Sequence, residues 1–251
     1  MGAFGMLREP VNALSHGLGA MLAIIATIYL WTRARADSKP GARLACLIYG
    51  ASLTFCLGTS AVFHSIMVSG PVFDRVLALD QVGIFLLIAG TYTPLAWNVL
   101  DGTWRKATLI CAWSMAAFGG IMHLVSDHPP IVLSTLLYLV MGWGALICYR
   151  EVVLRAPRGA HWWLLGGGVL YSVGAIFNVI EWPNPWPTIL GFHGIFHLFV
   201  LAGAATHFVL IEKTSRPFIP AWKTSIPRPA FFRGANRTSV ISSNRRAGRQ
   251  L

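Results

Sequence analysis

Residues 187–210 read PTILGFHGIFHLFVLAGAATHFVL, an apolar run of membrane length that carries His193 and His197 four positions apart. On a helix, residues four apart differ by about 40° in azimuth and ~6 Å in rise, so both imidazoles face the same neighbour. That spacing suits one metal ion. Either each histidine packs in a bundle interior against a backbone carbonyl, or the pair is part of a metal site whose third ligand lies elsewhere in the chain. Polar groups are costly in hydrocarbon and tend to be functional there, which keeps the second alternative in play.

Working outward, the same pattern repeats. The 251 residues are 55% hydrophobic and 12% charged, a composition typical of membrane proteins. Seven runs approach membrane length: 11–31, 44–63, 79–97, 107–125, 131–149, 162–180 and 188–210. The gaps between them are too short for a soluble domain. The expected fold is an all-α seven-transmembrane-helix bundle over residues 1–211, followed by a tail over 212–251.

The net charge of +11 is distributed unevenly. Arg8 and Arg75 are the two cations on one side of the predicted membrane. The other eighteen, including Arg33, Lys39, Arg105, Arg155 and nine in the tail, fall on the opposite side. The positive-inside rule then places the N-terminus outside and the C-terminus in the cytoplasm of a cell whose plasma membrane holds the chain. The tail combines four prolines with nine cations and the single acid Glu212, so it is expected to be disordered and drawn to anionic lipid. Nucleic acid is not an expected partner, because no aromatic platform accompanies the charge. Arg8 precedes an apolar run, as in a signal peptide, but the run is too long for one and is read as an uncleaved first helix. Cys46, Cys56, Cys111 and Cys148 fall within helices without C-x-x-C spacing and are expected to pack as small apolar residues.

Several polar residues interrupt the apolar runs. Glu9, Asn12 and His16 share one stripe, either a solvated helix end or groups that hold a buried site in place. Ser60 and His64 end the second run, with Ser60 open to bonding back to the carbonyl of Cys56. Asp80 begins the third, where a compensating cation is expected. Thr91 and Thr93 precede Pro94 and are expected to compensate the carbonyl that proline leaves unpaired. His123 and His128 read as interfacial, His207 as packing, and Gly166, Gly167, Gly168 and Gly174 as sites of close helix approach.

Alternation of the spans brings His64, Asp80, His193, His197, Ser60 and the first-helix stripe to one side of the membrane. Three neutral imidazoles with an open fourth position form a common catalytic zinc site, and zinc lowers the pKa of bound water toward ~7. The glutamate of an H-E-x-x-H protease is absent, because position 194 is glycine. Asp80 is then the candidate general base.

The run Glu9-Pro-Val-Asn-Ala-Leu-Ser-His16-Gly, the pair Ser60-x3-His64, Leu79-Asp80 leading to Ala89-Gly-Thr-Tyr-Thr-Pro94, and His193-Gly-Ile-Phe-His197-Leu-Phe resemble the hemolysin III branch of the progestin and adipoQ receptor family. That family is similar to alkaline ceramidases. The resemblance covers nearly all of residues 7–211 and implies seven helices, with Zn2+ held by His64, His193 and His197. It also implies that Ser60 and Asp80 lie close to the metal-bound water. Gln81 and Gly194 stand where relatives often have His and Glu. Eukaryotic receptor members place the metal near the cytoplasmic face, whereas the charge bias here puts it outside.

Three functions follow as expectations. The first is a zinc-dependent, ceramidase-like hydrolase of a lipid amide or ester, with Asp80 and Ser60 as catalytic residues and a membrane lipid or amphiphile as partner. The second is a receptor-like protein with structural zinc. The third is a cytolytic or pore-forming protein, ranked last because no charged pore lining is evident. Nothing in the chain fixes an oligomeric state.

Overall fold

The computed structural model describes residues 7–34, 39–126, 129–187 and 189–215. They form α1 (Pro10–Arg33), α2 (Ala42–Ser65), α3 (Pro71–Val99), α4 (Gly102–Val125), α5 (Ile131–Trp143), α6 (Tyr149–Arg155), α7 (Ala160–Ile180) and α8 (Phe192–Ser215). A 3₁₀ segment, Gly144–Cys148, joins α5 to α6, so these pieces make one span and the seven expected spans are present. The described residues contain no β-strand, only an isolated bridge between Trp186 and Leu190. His128 and the tail beyond Ser215 lie outside the described residues.

Local chemistry sets the helix starts. Pro10 and Pro71 occupy first turns, where a missing N–H costs nothing. Gly41 precedes α2 with φ of 88°, and a Cβ there would also come within 2.8 Å of the Trp97 ring, so glycine is required twice over. Leu14, Leu18, Ile25, Ile110, Phe118, Leu136 and Ile147 are exposed, which is the exterior expected of a protein solvated by lipid. Six of the seven spans meet a length-and-hydropathy criterion for crossing a membrane. The seventh, α3, is the central helix and has 29 residues, long enough to cross.

α3 divides the interior. One core cluster gathers Phe85, Tyr92, Leu95, Met141, Val152 and Leu210, and a second gathers Leu30, Tyr49, Leu53, Leu57, Leu87 and Ile211. The glycines of α7 allow close approach: Gly167 lies under the His207 ring, and a Cβ at Gly174 would fall 2.7 Å from Phe199 Cβ. His207 Nε2 donates to the Leu164 carbonyl at 3.2 Å, so this histidine packs, as expected.

Two expectations change. The threonines beside Pro94 bond other carbonyls: Thr91 donates to Leu87 O at 2.8 Å and Thr93 to Ala89 O at 2.9 Å, whereas proline frees the carbonyl of Gly90. The hydroxyls follow their own i−4 geometry rather than the proline's. The fifth span, read as one helix, is broken at Gly144–Cys148, where the Tyr92 hydroxyl donates to Met141 O at 2.8 Å.

At the basic end, Asp101 ties three segments together. It meets Lys39 Nζ at 2.9 Å, Arg105 Nη2 at 2.6 Å and Arg155 Nη1 at 2.9 Å. These cations hold the Asp101 carboxyl below its usual range, the Lys39 hydrogen bond foremost.

Candidate metal centre

The histidine end of the bundle is built by α1, α2, α7 and α8. His193 and His197 lie on successive turns of α8, and His64 lies in the last turn of α2. Their ring nitrogens converge: His197 Nε2 is 3.0 Å from His64 Nε2 and 3.0 Å from His193 Nε2. Ligand atoms of all three lie within 4.8 Å of one another. A tetrahedral zinc with bonds of ~2.05 Å needs ligand nitrogens ~3.3 Å apart, close to the two 3.0 Å separations from His197.

The opposite face of each ring explains why a cation fits. A neutral imidazole has one donor and one acceptor nitrogen. His64 Nδ1 meets the Glu9 carboxylate at 2.8 Å, and His193 Nδ1 meets Asn178 Oδ1 at 2.8 Å, so each Nδ1 carries the hydrogen. His197 Nδ1 meets His16 Nε2 at 2.8 Å and can donate in the same way. Three bare Nε2 lone pairs then point at one another. One proton can bridge two of them but not three, whereas a metal ion satisfies all three.

The first-helix stripe therefore supports the histidines rather than solvating a helix end. Asn12 and His16 are buried, and Asn12 Nδ2 donates to Glu9 Oε2 at 2.7 Å. Glu9 lies just before α1, outside the span. The His64 hydrogen bond, aided by Asn12 and Arg8, draws its pKa down to about 2 against the cost of burial. Arg8 Nε stands 3.3 Å from Glu9 Oε1, and its guanidinium carbon lies 4.1 Å from the Phe63 ring centroid.

A cavity of ≈ 980 Å³ opens beside this cluster and is lined by His193, His197, Ser60, Asp80 and Asn178 among others. The Ser60 hydroxyl is buried beside Asp80 and does not bond back to Cys56, whose carbonyl accepts from Thr59 at 3.2 Å. Asp80 is half-buried and, among the described residues, makes no direct ion pair. A second, apolar cavity of ≈ 130 Å³ shares Cys56, Ile84, Tyr138, Phe196 and Val200 with the first, so the two are neighbours.

His123 faces the bundle interior rather than lipid or solvent. It is 7% exposed, and its Nε2 lies 3.1 Å from Ser134 Oγ. Sequence reasoning missed Asn178, although a single amide near the end of the apolar, glycine-rich α7 was a legible signal.

Comparison with known proteins agrees with this architecture. Residues 4–208 match the family described as haemolysin-III related. The chain is 34% identical to the hemolysin-3 homolog of Bacillus subtilis (strain 168) over 218 residues, 86% of this chain and 99% of that protein. It is 36% identical to hemolysin-3 of Bacillus cereus over 205 residues, 81% of this chain and 90% of that one. It is also similar to the adiponectin receptor protein of Drosophila melanogaster, 24% identical over 224 residues that cover 82% of this chain and 50% of the receptor. No solved structure matches. With the heptahelical fold, the converging histidines and these relatives together, the chain belongs to the hemolysin III family, a membrane-protein family with relatives among the adiponectin receptors.

Proposed function

We propose that the chain is a zinc-dependent hydrolase of a lipid amide or ester, set in the plasma membrane with its N-terminus outside and its C-terminus in the cytoplasm. The observation that carries this is the convergence of three imidazole nitrogens beside a cavity that His193 and His197 line together with Asp80 and Ser60. Zinc held by His64, His193 and His197 would polarise a carbonyl and activate water. Asp80 accepts the proton that the attacking water gives up. Ser60 donates a hydrogen bond to the carbonyl oxygen as negative charge develops on it. The apolar second cavity receives part of the acyl chain, and the basic tail rests on anionic lipid.

The experiment compares fatty-acid release from N-acyl and O-acyl lipids by wild type, Asp80→Asn and His193→Ala in nanodiscs. Asp80→Asn keeps the shape but removes the base, so zinc content stays near one per chain while turnover falls roughly 10²- to 10⁴-fold. Equal release by all three proteins would sink the hydrolase.

A second reading, structural zinc in a receptor-like protein, is favoured by the span the ligands bridge, from α2 to α8. It predicts that Asp80→Asn alters thermal stability alone. Cytolysis, the activity for which the bacterial hemolysin-3 relatives are named, ranks third.

A further inference from the structure

The large cavity has a second polar wall, away from the histidine cluster. Ser134 Oγ on α5 lies 3.1 Å from His123 Nε2 on α4, and the Tyr138 hydroxyl on α5 donates to Gln81 Oε1 on α3 at 2.7 Å. All four residues line the ≈ 980 Å³ cavity.

The sequence of α5 makes the arrangement pointed. Its thirteen residues, IVLSTLLYLVMGW, are apolar except for Ser134, Thr135, Tyr138 and the amphipathic Trp143. Ser134 and Tyr138 are one turn apart, Thr135 is their neighbour, and all three face the cavity. Placing hydroxyls on a membrane helix is costly unless they are satisfied or used. The Phe85 ring packs against both pairs, 5.8 Å from His123 and 4.5 Å from Tyr138, and holds them in position.

These pairs are only partly satisfied by one another. Tyr138 occupies the oxygen of Gln81 and leaves its amide N–H groups, while Ser134 engages one nitrogen of His123 and leaves the other. No Lys or Arg belongs to this wall. Arg75, the cation among the cavity's lining residues, sits in the first turns of α3. The wall thus offers neutral donors and acceptors, suited to hydroxyl and amide groups, and lacks the fixed positive charge that a phosphate would require.

The geometry points to His123, Ser134 and Gln81 as a subsite for a neutral, hydroxyl-bearing headgroup, which sets headgroup specificity while the acyl chain runs toward the apolar ≈ 130 Å³ cavity. The subsite rests on the proposal that the cavity takes an amphiphile, but it does not require that the amphiphile be cleaved.

The test is equilibrium binding to the full-length, zinc-loaded protein in nanodiscs of three fluorescent-tailed N-dodecanoyl amides. The first carries ethanolamine, the second ethanolamine phosphate, and the third methylamine, which lacks the hydroxyl. Wild type is expected to bind the ethanolamide about tenfold more tightly than the methylamide, the contribution of one or two net hydrogen bonds. It should bind the phosphate more weakly than the ethanolamide. Ser134→Ala and Gln81→Met should each erase most of the ethanolamide preference and leave methylamide binding unchanged. Ser134→Ala removes one oxygen and leaves the fold intact, and unchanged methylamide binding reports that the cavity has kept its shape. A preference that persists in both variants, a phosphate bound as tightly as the hydroxyl, or no binding of any probe would each overturn the subsite. Headgroup preference without fatty-acid release would support the subsite and count against the hydrolase alone.

Discussion

Glu9 and His64 are joined twice: the Glu9 backbone N–H donates to the His64 carbonyl at 3.0 Å, and the His64 ring meets the Glu9 carboxylate at 2.8 Å. The first bond fixes the end of α2 against the start of α1, and the second fixes the ring that projects from it. Glu9→Gln keeps an acceptor but loses the charge, and Glu9→Ala loses both. Zinc affinity, measured by competition with a chelator, should fall about 10- to 100-fold, the usual effect of removing such a partner, with Ala worse than Gln. Unchanged affinity in both would show that the clasp is irrelevant to the metal.

The ligand set makes a sharper contrast. His64→Ala, His193→Ala and His197→Ala should each remove most of the roughly one zinc per chain expected of a three-histidine site, as counted by elemental analysis. His123→Ala and His207→Ala should retain it, because Ser134 and the Leu164 carbonyl are their partners. A loss of zinc in either control as large as in the three ligands would refute the assignment.

Asn178 holds the ring of His193 from a different helix, α7. Asn178→Ala should weaken zinc binding by about tenfold, whereas Asn178→Asp, which keeps the acceptor, should not. If both substitutions behave alike, the hydrogen bond does not orient the ring.

Much of this site was legible in the sequence, for a physical reason. The period of the helix puts His193 and His197 on one face, and span alternation brings His64 to their level. Neither argument reaches Asn178, because an amide in the last turns of a helix looks the same whether it meets lipid headgroups or a histidine. His123 was misread for a related cause: its place near a helix end says how deep it lies, not which way it faces. The break after Trp143 was hidden because an apolar run scores the same whether helical turns are tight or regular. Its signal, the pair Gly142 and Gly144, was lost among 25 glycines.

The clasp at Asp101 yields a pH prediction. Its carboxyl is held below the usual range, so the stabilisation is present above the ordinary carboxylate pKa and is lost as pH falls through the lowered folded value. Wild type should melt about 1–3 °C above Asp101→Asn at pH 7 in low salt, a small effect because the site is exposed and screened. The two melting curves should merge in acid and in high salt. A difference that grows as pH falls would contradict the sign.

Close packing at Gly167 can be tested by size. Gly167→Val should drive α7 from the His207 ring and destabilise the bundle by about 1–3 kcal/mol, the usual cost of overpacking. Gly142, where an added Cβ would meet nothing within 4 Å, should tolerate alanine. Equal melting temperatures for wild type and Gly167→Val would show that the helices are not in contact there.

The three converging nitrogens come from distant parts of the chain, with His64 and His197 lying 133 positions apart. During synthesis α2 enters the bilayer long before α8 exists, so the metal site cannot be completed by any partial product. Capture of an ion by the three histidines would then report that the last span has been inserted in the right orientation and register beside the first two. A truncated or inverted chain would leave His64 and Glu9 facing each other with nothing to bind, so metal loading would mark a finished molecule in the population of nascent chains.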